Sequence, residues 1–308
     1  SDTSNHRIYD AVRGGTKTLY SNLTNAQGTN ADAITSFDSD GFTLGANAQS
    51  NGNGLTLASW CWKAGTGQGS SNTDGSINTT YTSVNTTAGF SISQYTGTGN
   101  AGTVGHGLGV APKVIIIKNI SQDTDWVFGH QELDASAPWT KYLELNSNVA
   151  VLDNTVFNDT APTNSVFSVG GDGKVSSGSG SHVAYCFADV RGYSKFGKYK
   201  GNGNADGPFI YTGFKPAFVI SKNISTTMHW SMNDTKRDPF NVGSKRLWPS
   251  QSNAEVTNSA YYIDYLSNGF KIRSNSSSWN GSGNTMIYMA FAENPIVDST
   301  GKIPATAR

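Results

Sequence analysis

Apolar residues along this chain come in short runs that alternate with polar positions and never settle into the three-and-four spacing of an amphipathic helix. The clearest runs are Phe90–Tyr95, Val114–Lys118, Phe218–Lys222, Tyr261–Tyr265 and Thr285–Phe291, each bounded by clusters of Gly, Asn and Ser. A period of two sends successive side chains to opposite faces of a sheet, and the flanking residues are those that turn a chain back on itself. The pattern predicts an all-β fold of antiparallel β-sandwich or jelly-roll units.

The runs also repeat. Ala111–Lys118 followed by Asn119-Ile120 corresponds to Lys215–Lys222 followed by Asn223-Ile224, and each is succeeded by a tryptophan, Trp126 or Trp230. Each is preceded by an aromatic run and a glycine turn, Gln94–Ala101 or Lys198–Ala205. In the rear halves, Phe37–Leu44 pairs with Tyr265–Ile272, and Ser165–Val169 is a looser copy. Each rear half closes on one run expected to be a buried strand: Leu57–Trp62, His182–Phe187 and Met286–Phe291. The repeat divides the chain into two units of about 100 residues, 89–196 and 197–294, the size of a small sandwich. Residues 1–64 match only a rear half, 65–88 read as a Gly/Ser/Thr/Asn linker, and 295–308 as a loose tail. A half-sandwich has a bare edge and an open apolar face, so strands from an upstream segment or a partner chain are expected to cover it.

Composition narrows the functional classes. Among 308 residues, 22 Lys and Arg balance 22 Asp and Glu, and only 14% are charged. Such a chain has no long-range field with which to capture nucleic acid or an anionic membrane. A content of 36% hydrophobic and 11% aromatic residues is enough to build real cores. No apolar run approaches the roughly 20 residues of a membrane-spanning helix, so no membrane insertion is expected. The first residues carry no basic, apolar leader pattern and begin with Ser, consistent with processing or with a longer parent. Cys61 and Cys186 hold equivalent positions in separate copies, with Ala290 in the third, and are expected to be small buried apolar residues rather than a disulfide.

Candidate chemistry is sparse. Gly97–Gly102 fits a dinucleotide fingerprint, but no helical pattern follows it, and a hairpin turn is the expected structure. Asp38-Ser-Asp-Gly41 has oxygen ligands on alternate residues, yet the matching turn Ser267-Asn-Gly269 lacks carboxylates. No catalytic residue, metal site or cofactor is assigned. Glu132, Asp134 and Glu144 stay open as glycosidase carboxylates, because their separation is a three-dimensional quantity. Asp10 with Arg13 and Asp234 with Arg237 recur at one place in two copies, which marks fold-holding ion pairs. Trp60, Trp62, Trp126 and Trp230 recur and are expected in cores. Trp139, Trp248 and Trp279 do not recur. They are candidates for stacking on sugar rings, or for folding onto their own unit.

Several strings together resemble a repetitive virion-protein domain of marine tailed bacteriophages. They are Ala58–Gly65, Gly105–Lys113, Val183–Ala188, Gly192–Gly197, Asp234–Pro239 and Met289–Pro295, and they extend over nearly the whole chain. The resemblance implies a non-enzymatic structural protein of the virion surface, a tail fibre or appendage with a host-attachment role. A head decoration protein or a carbohydrate-binding adhesin module are the alternatives. The partners it implies are other virion proteins and a host-surface glycan, and the open half-unit, which needs cover, adds the expectation of further copies of the chain, as a homotrimer if this is a fibre.

Overall fold

Where the polar clusters turn the chain, the alternating runs pair edge to edge, and the computed structural model describes this for residues 3–293. The N-terminal half-unit contains β1 (Arg7–Ile8), β2 (Lys17–Tyr20), β3 (Gly28–Thr29), β4 (Ile34–Phe37), β5 (Phe42–Leu44) and the single turn α1 (Ala48–Asn51). The middle unit contains β6 (Thr79–Asn85), β7 (Phe90–Thr96), β8 (Gly102–Gly105), β9 (Val114–Asn119), β10 (Val127–His130), β11 (Lys141–Glu144), β12 (Leu152–Asp153), β13 (Val166–Val169), α2 (Gly173–Ser176) and β14 (Ser181–Phe187). The last unit contains β15 (Ser194–Lys200), β16 (Phe209–Tyr211), β17 (Pro216–Asn223), β18 (Ser231–Asp234), β19 (Lys245–Arg246), β20 (Val256–Thr257), β21 (Ile263–Leu266), β22 (Gly269–Ile272), α3 (Ser277–Asn280) and β23 (Thr285–Ala292).

The fold is all-β, and its two complete units share one topology. The middle sheet runs β12-β11-β10-β9-β14-β7-β6, with β8 and β13 forming the facing layer. The last unit runs β15-β23-β17-β18, faced by β16-β22-β21. In both, the closing strand slots between the two strands that flank the glycine-turn hairpin, β7 and β9 in the middle unit and β15 and β17 in the last, and is hydrogen-bonded on both edges. Its alternation serves two cores. Ala184 and Cys186 on β14 face the inter-sheet core with Tyr95, Val104 and Phe167, while Val183, Tyr185 and Phe187 face the junction between units. On β23, Met286, Tyr288 and Ala290 face inward, and Ile287, Met289 and Phe291 face the junction. This explains why these strands read as continuous apolar runs rather than strict alternations.

The three rear halves close into a ring. Trp62, Phe187 and Phe291, equivalent by the repeat, meet at its centre with ring centroids 5.3 to 6.5 Å apart. Around them the same positions bridge successive units. The Tyr185 hydroxyl donates to Asp10 at 2.7 Å, the His130 ring lies 3.3 Å from the Tyr288 carbonyl, and the Arg237 guanidinium sits 5.5 Å above the Trp60 ring. The Trp126 indole donates to the Tyr20 carbonyl, and the Trp230 indole to that of Glu144.

Four expectations need correction. Residues 65–88 are not a free linker: they contain β6, which pairs with β7 and forms the edge of the middle sheet. The division between units does not fall at 196/197, because Ser194–Lys200 is one continuous strand. Leu57–Trp62 is not a buried strand; among the described residues it pairs with no other strand, and Leu57 is 55% exposed. Cys61 on that segment is correspondingly exposed, whereas Cys186 is buried, and both thiols are free. The physical cause of the last two is shared. A closing strand needs flanking strands equivalent to β7 and β9 or β15 and β17, and residues 3–64 contain neither. The expected tail, 295–308, lies outside the described residues.

Candidate functional site

Trp139, Trp248 and Trp279, the candidates for sugar stacking, are all buried, at 5%, 9% and 1% exposure, and none offers a ring face to a ligand. Trp139 follows Pro138 in a tight turn and packs edge-on against Phe157 at 5.2 Å, both rings lying over the bare backbone of Gly129. Trp248 and Trp279 flank the buried Arg246 guanidinium at 5.5 and 5.8 Å, with Tyr261 at 4.3 Å. Among the described residues no carboxylate pairs with Arg246. It donates instead to the hydroxyls of Ser231 and Ser278, and burial lowers its pKa to about 10. These tryptophans are packing residues because each indole has a cavity of its own unit to fill.

Other sequence candidates also resolve into structure. Asp10 and Arg13 pair at 2.6 Å, and Asp234 and Arg237 at 2.5 Å. In each pair the carboxylate also accepts the arginine's own backbone N–H, so the acid holds the turn as well as the charge. In the middle unit His130 takes this place and accepts the Glu132 N–H; burial depresses its pKa to about 3. His182, stacked on Tyr95, is depressed to about 4 for the same reason. Glu132 pairs with Lys198, Glu144 with Lys174, and Asp134 accepts N–H groups of Ser136 and Ala137 that lower its pKa to about 2. The three are engaged in separate interactions rather than facing one cleft. Gly97–Gly102 spans the turn between β7 and β8, where Gly99 adopts a φ of +77°. Asp38 accepts hydroxyls of Ser36 and Thr43 across the β4–β5 turn. Among the described residues no group of three His, Cys, Asp or Glu side chains is placed to hold a metal.

A further surface feature lies on the outer face of β16-β22-β21. Ile210, Phe270, Ile263 and Tyr265 point into the core, which forces their strand neighbours outward. Those neighbours are Phe209 and Tyr211 on β16, at 45% and 67% exposure, Lys271 on β22 and Asp264 on β21. The loop before β19 extends this sheet: Asn241 exchanges hydrogen bonds with the backbone of Tyr265, and Gly243 pairs with Ile263. It carries the exposed Phe240 and Val242, the latter lining the cavity at this edge. A shallow cavity of about 380 Å³ opens there, lined by Ala205, Asp206, Val242, Tyr262, Asp264 and Arg273. Arg273 spans Asp206 at 3.4 Å and Asp264 at 3.5 Å, and Lys271 pairs with Asp206 at 2.9 Å. The hydrogen bond and charge of Lys271 lower the Asp206 pKa, which keeps the carboxylate ionised. The cavity thus sets the Tyr262 ring beside fixed charged donors and acceptors, and the exposed rings of Phe209 and Tyr211 lie on the same sheet face outside its lining, a surface suited to a polyhydroxylated ligand.

Sequence reasoning overlooked this groove because it searched for tryptophan. The signal was present in Phe209-Ile-Tyr211, a three-residue strand with no polar position, and in Phe240 next to Pro239 in a loop. An outward strand face that carries two aromatic rings is either covered or used.

Comparison with known proteins gives a family and no activity. The chain matches, over residues 1–295, the model of a domain of unknown function, DUF7483. No curated protein and no solved structure matches it. With its repeats, its all-β units and a match over nearly its full length, the chain belongs to the DUF7483 family.

Proposed function

We propose that this chain is a non-enzymatic structural protein of the virion surface, a segment of a tail fibre or appendage, and that it attaches to host-surface glycan through the groove of its last unit. The observation that carries the attachment reading is the outer sheet face together with the cavity at its edge. Exposed Tyr211 and Phe209 lie on a hydrogen-bonded sheet whose outer face also carries Asp264 and Arg273, so a sugar ring could stack without first ordering a loop. The virion reading is supported by the resemblance of the repeated strings and by the ring of packed β units, which suits a stiff module. Assembly with other copies, as a homotrimer, and with other virion proteins belongs to the same proposal.

Two experiments test it. Immunogold labelling of intact virions with antibody against the chain is expected to decorate tail appendages. Label over the capsid would make it a head decoration, and unlabelled particles would leave the adhesin reading. For attachment, host polysaccharide fragments are titrated against the chain and against Tyr211→Ala and Tyr262→Ala. Loss of one stacking ring is expected to weaken binding about tenfold. Unchanged affinity in both variants would remove the groove from the proposal.

A further inference from the structure

We propose that the outer edge of β16 is a docking site for a second copy of this chain, the two β16 strands pairing antiparallel about a two-fold axis at Ile210. The joined sheets set the Phe209 and Tyr211 rings of both copies side by side, so each copy contributes to one aromatic platform. The pairing stands without the glycan reading, and only the use of the platform rests on it.

The edge stands out by what closes the others. In the last unit β15 carries Lys195, Lys198 and Lys200, and its Phe196 carbonyl accepts from Gln131. Met232 on β18 exchanges backbone hydrogen bonds with Leu247, and Ile263 on β21 does so with Gly243. Charged residues and short covering segments are the usual protection of a sheet edge. The β16 strand has neither: it reads Phe-Ile-Tyr, and among the described residues only β22 pairs with it. The equivalent strand of the middle unit shows that this edge takes a partner. Its Thr103 corresponds to Phe209 through the strand partners Ser168 and Lys271. The Thr103 carbonyl accepts the Ile77 N–H at 2.9 Å, and the Thr103 N–H donates to the Ser76 hydroxyl. That cover comes from the stretch just ahead of β6. In the last unit the same place holds only residues 188–193, which turn back on themselves where Val190 pairs with Ser194.

Register selects the occupant. Thr212 donates to the Asn268 carbonyl and the Pro208 carbonyl accepts from Ile272. Antiparallel alternation therefore pairs Ile210 with Phe270 and turns the backbone groups of Phe209 and Tyr211 to the open edge. Such an edge is complementary to itself. About a two-fold axis at Ile210, the N–H and C=O of Phe209 meet those of the partner's Tyr211, and the reverse pair forms across the axis. Side chains agree with the backbone. Phe209 and Tyr211 both point to the outer face, so each ring lies across from the partner's other ring as an aromatic cross-strand pair. The charges are complementary as well. No charged residue faces its own kind across the axis, and Lys271 and Asp264, which follow Phe209 in its row, are opposite in sign. The contact thus has an apolar centre and a neutral polar rim. Edge pairing leaves the outer face open, so the rings stay available to a ligand. Being isologous, it joins copies in pairs whether each stands alone or within a trimer.

Sedimentation equilibrium of the native chain is expected to show pairing with a midpoint of roughly 0.1 mM, the range of a small and mostly backbone contact. Phe209→Lys with Tyr211→Lys sets like charges opposite each other and should abolish it, with the near-ultraviolet circular dichroism unchanged because both positions are exposed. Register is tested by cross-linking in a Cys61→Ser background. Chains carrying Phe209→Cys are mixed with chains carrying Tyr211→Cys and treated with a mild oxidant. The facing Cα atoms lie about 5.5 Å apart, within disulfide reach. Linked pairs are expected to form about tenfold faster in the mixture than in either variant alone. Equal rates in the mixture and the separate variants would overturn the pairing, as would a native chain that shows no association up to about 1 mM. The platform has its own readout. Host polysaccharide fragments are expected to bind the native chain about tenfold more tightly above the pairing midpoint than below it. Equal affinity in both ranges would overturn the platform. No binding in either would remove the glycan reading, while the register-specific cross-link would still support the pairing.

Discussion

At the scale of single residues, the fold depends on polar groups buried in fixed partnerships. Asp10 binds the guanidinium and backbone of Arg13 and accepts the Tyr185 hydroxyl, so three buried groups share one carboxylate. Asp10→Ala leaves the Arg13 charge buried without its partner and is expected to cost about 3–5 kcal/mol in urea unfolding. Gly129 works by omission. A Cβ there would fall 2.6 Å from Phe157 and 2.7 Å from Trp139, so Gly129→Ala is expected to lose about 1–3 kcal/mol by overpacking. Histidine burial sets a pH response. His130 and His182 titrate at about 3 and 4 in the folded chain but at 6.5 when unfolded. Between those values the unfolded chain binds more protons, so stability falls as pH drops below about 6.5. The urea midpoint is expected to decrease from pH 7 to pH 5, where most carboxylates remain ionised. His130→Gln with His182→Gln should flatten that decrease, and an unchanged slope would show that other groups set it.

At the scale of elements, β9 and β17 each carry a lysine into the interior, Lys118 and Lys222, both at most 1% exposed. Burial lowers each pKa to about 8, yet each ammonium donates to the carbonyl of its neighbouring Asn and to one on the preceding unit. These strands were legible from Ala111–Lys118 and Lys215–Lys222, but the terminal lysine reads from sequence as a solvated end. Its burial follows only from the neighbouring unit's loop lying over it. Lys118→Met leaves carbonyls unsatisfied and is expected to lower stability by about 2–4 kcal/mol, measured by thermal and urea unfolding. A neutral outcome would show that water replaces the ammonium.

For the whole molecule, one aromatic cluster joins three copies of a repeat. Trp62 lies within 5.4 Å of Phe218 and Phe291, so Trp62→Ala opens a void at the meeting point of all three units. It is expected to cost about 3 kcal/mol and to split a single unfolding transition into two, followed by differential scanning calorimetry. A single, unshifted transition would show that the units do not depend on their shared centre. The groove on the last unit is a whole-molecule feature in the same sense. Its floor is one sheet, and its rim is a loop some twenty residues away in sequence that pairs along β21.

The fold class, the recurrent Asp–Arg pairs and the core tryptophans Trp126 and Trp230 were legible along the chain. All of these depend on local periodicity or on comparison between copies, and both are written along the chain. Tertiary structure decided the rest. It buried Trp139, Trp248 and Trp279, drew Thr79–Asn85 into a sheet and, among the described residues, left Leu57–Trp62 without strand partners. The reason is that burial and pairing belong to what lies opposite a residue. A loop tryptophan and an apolar strand look the same in sequence whether their opposite face is filled or empty.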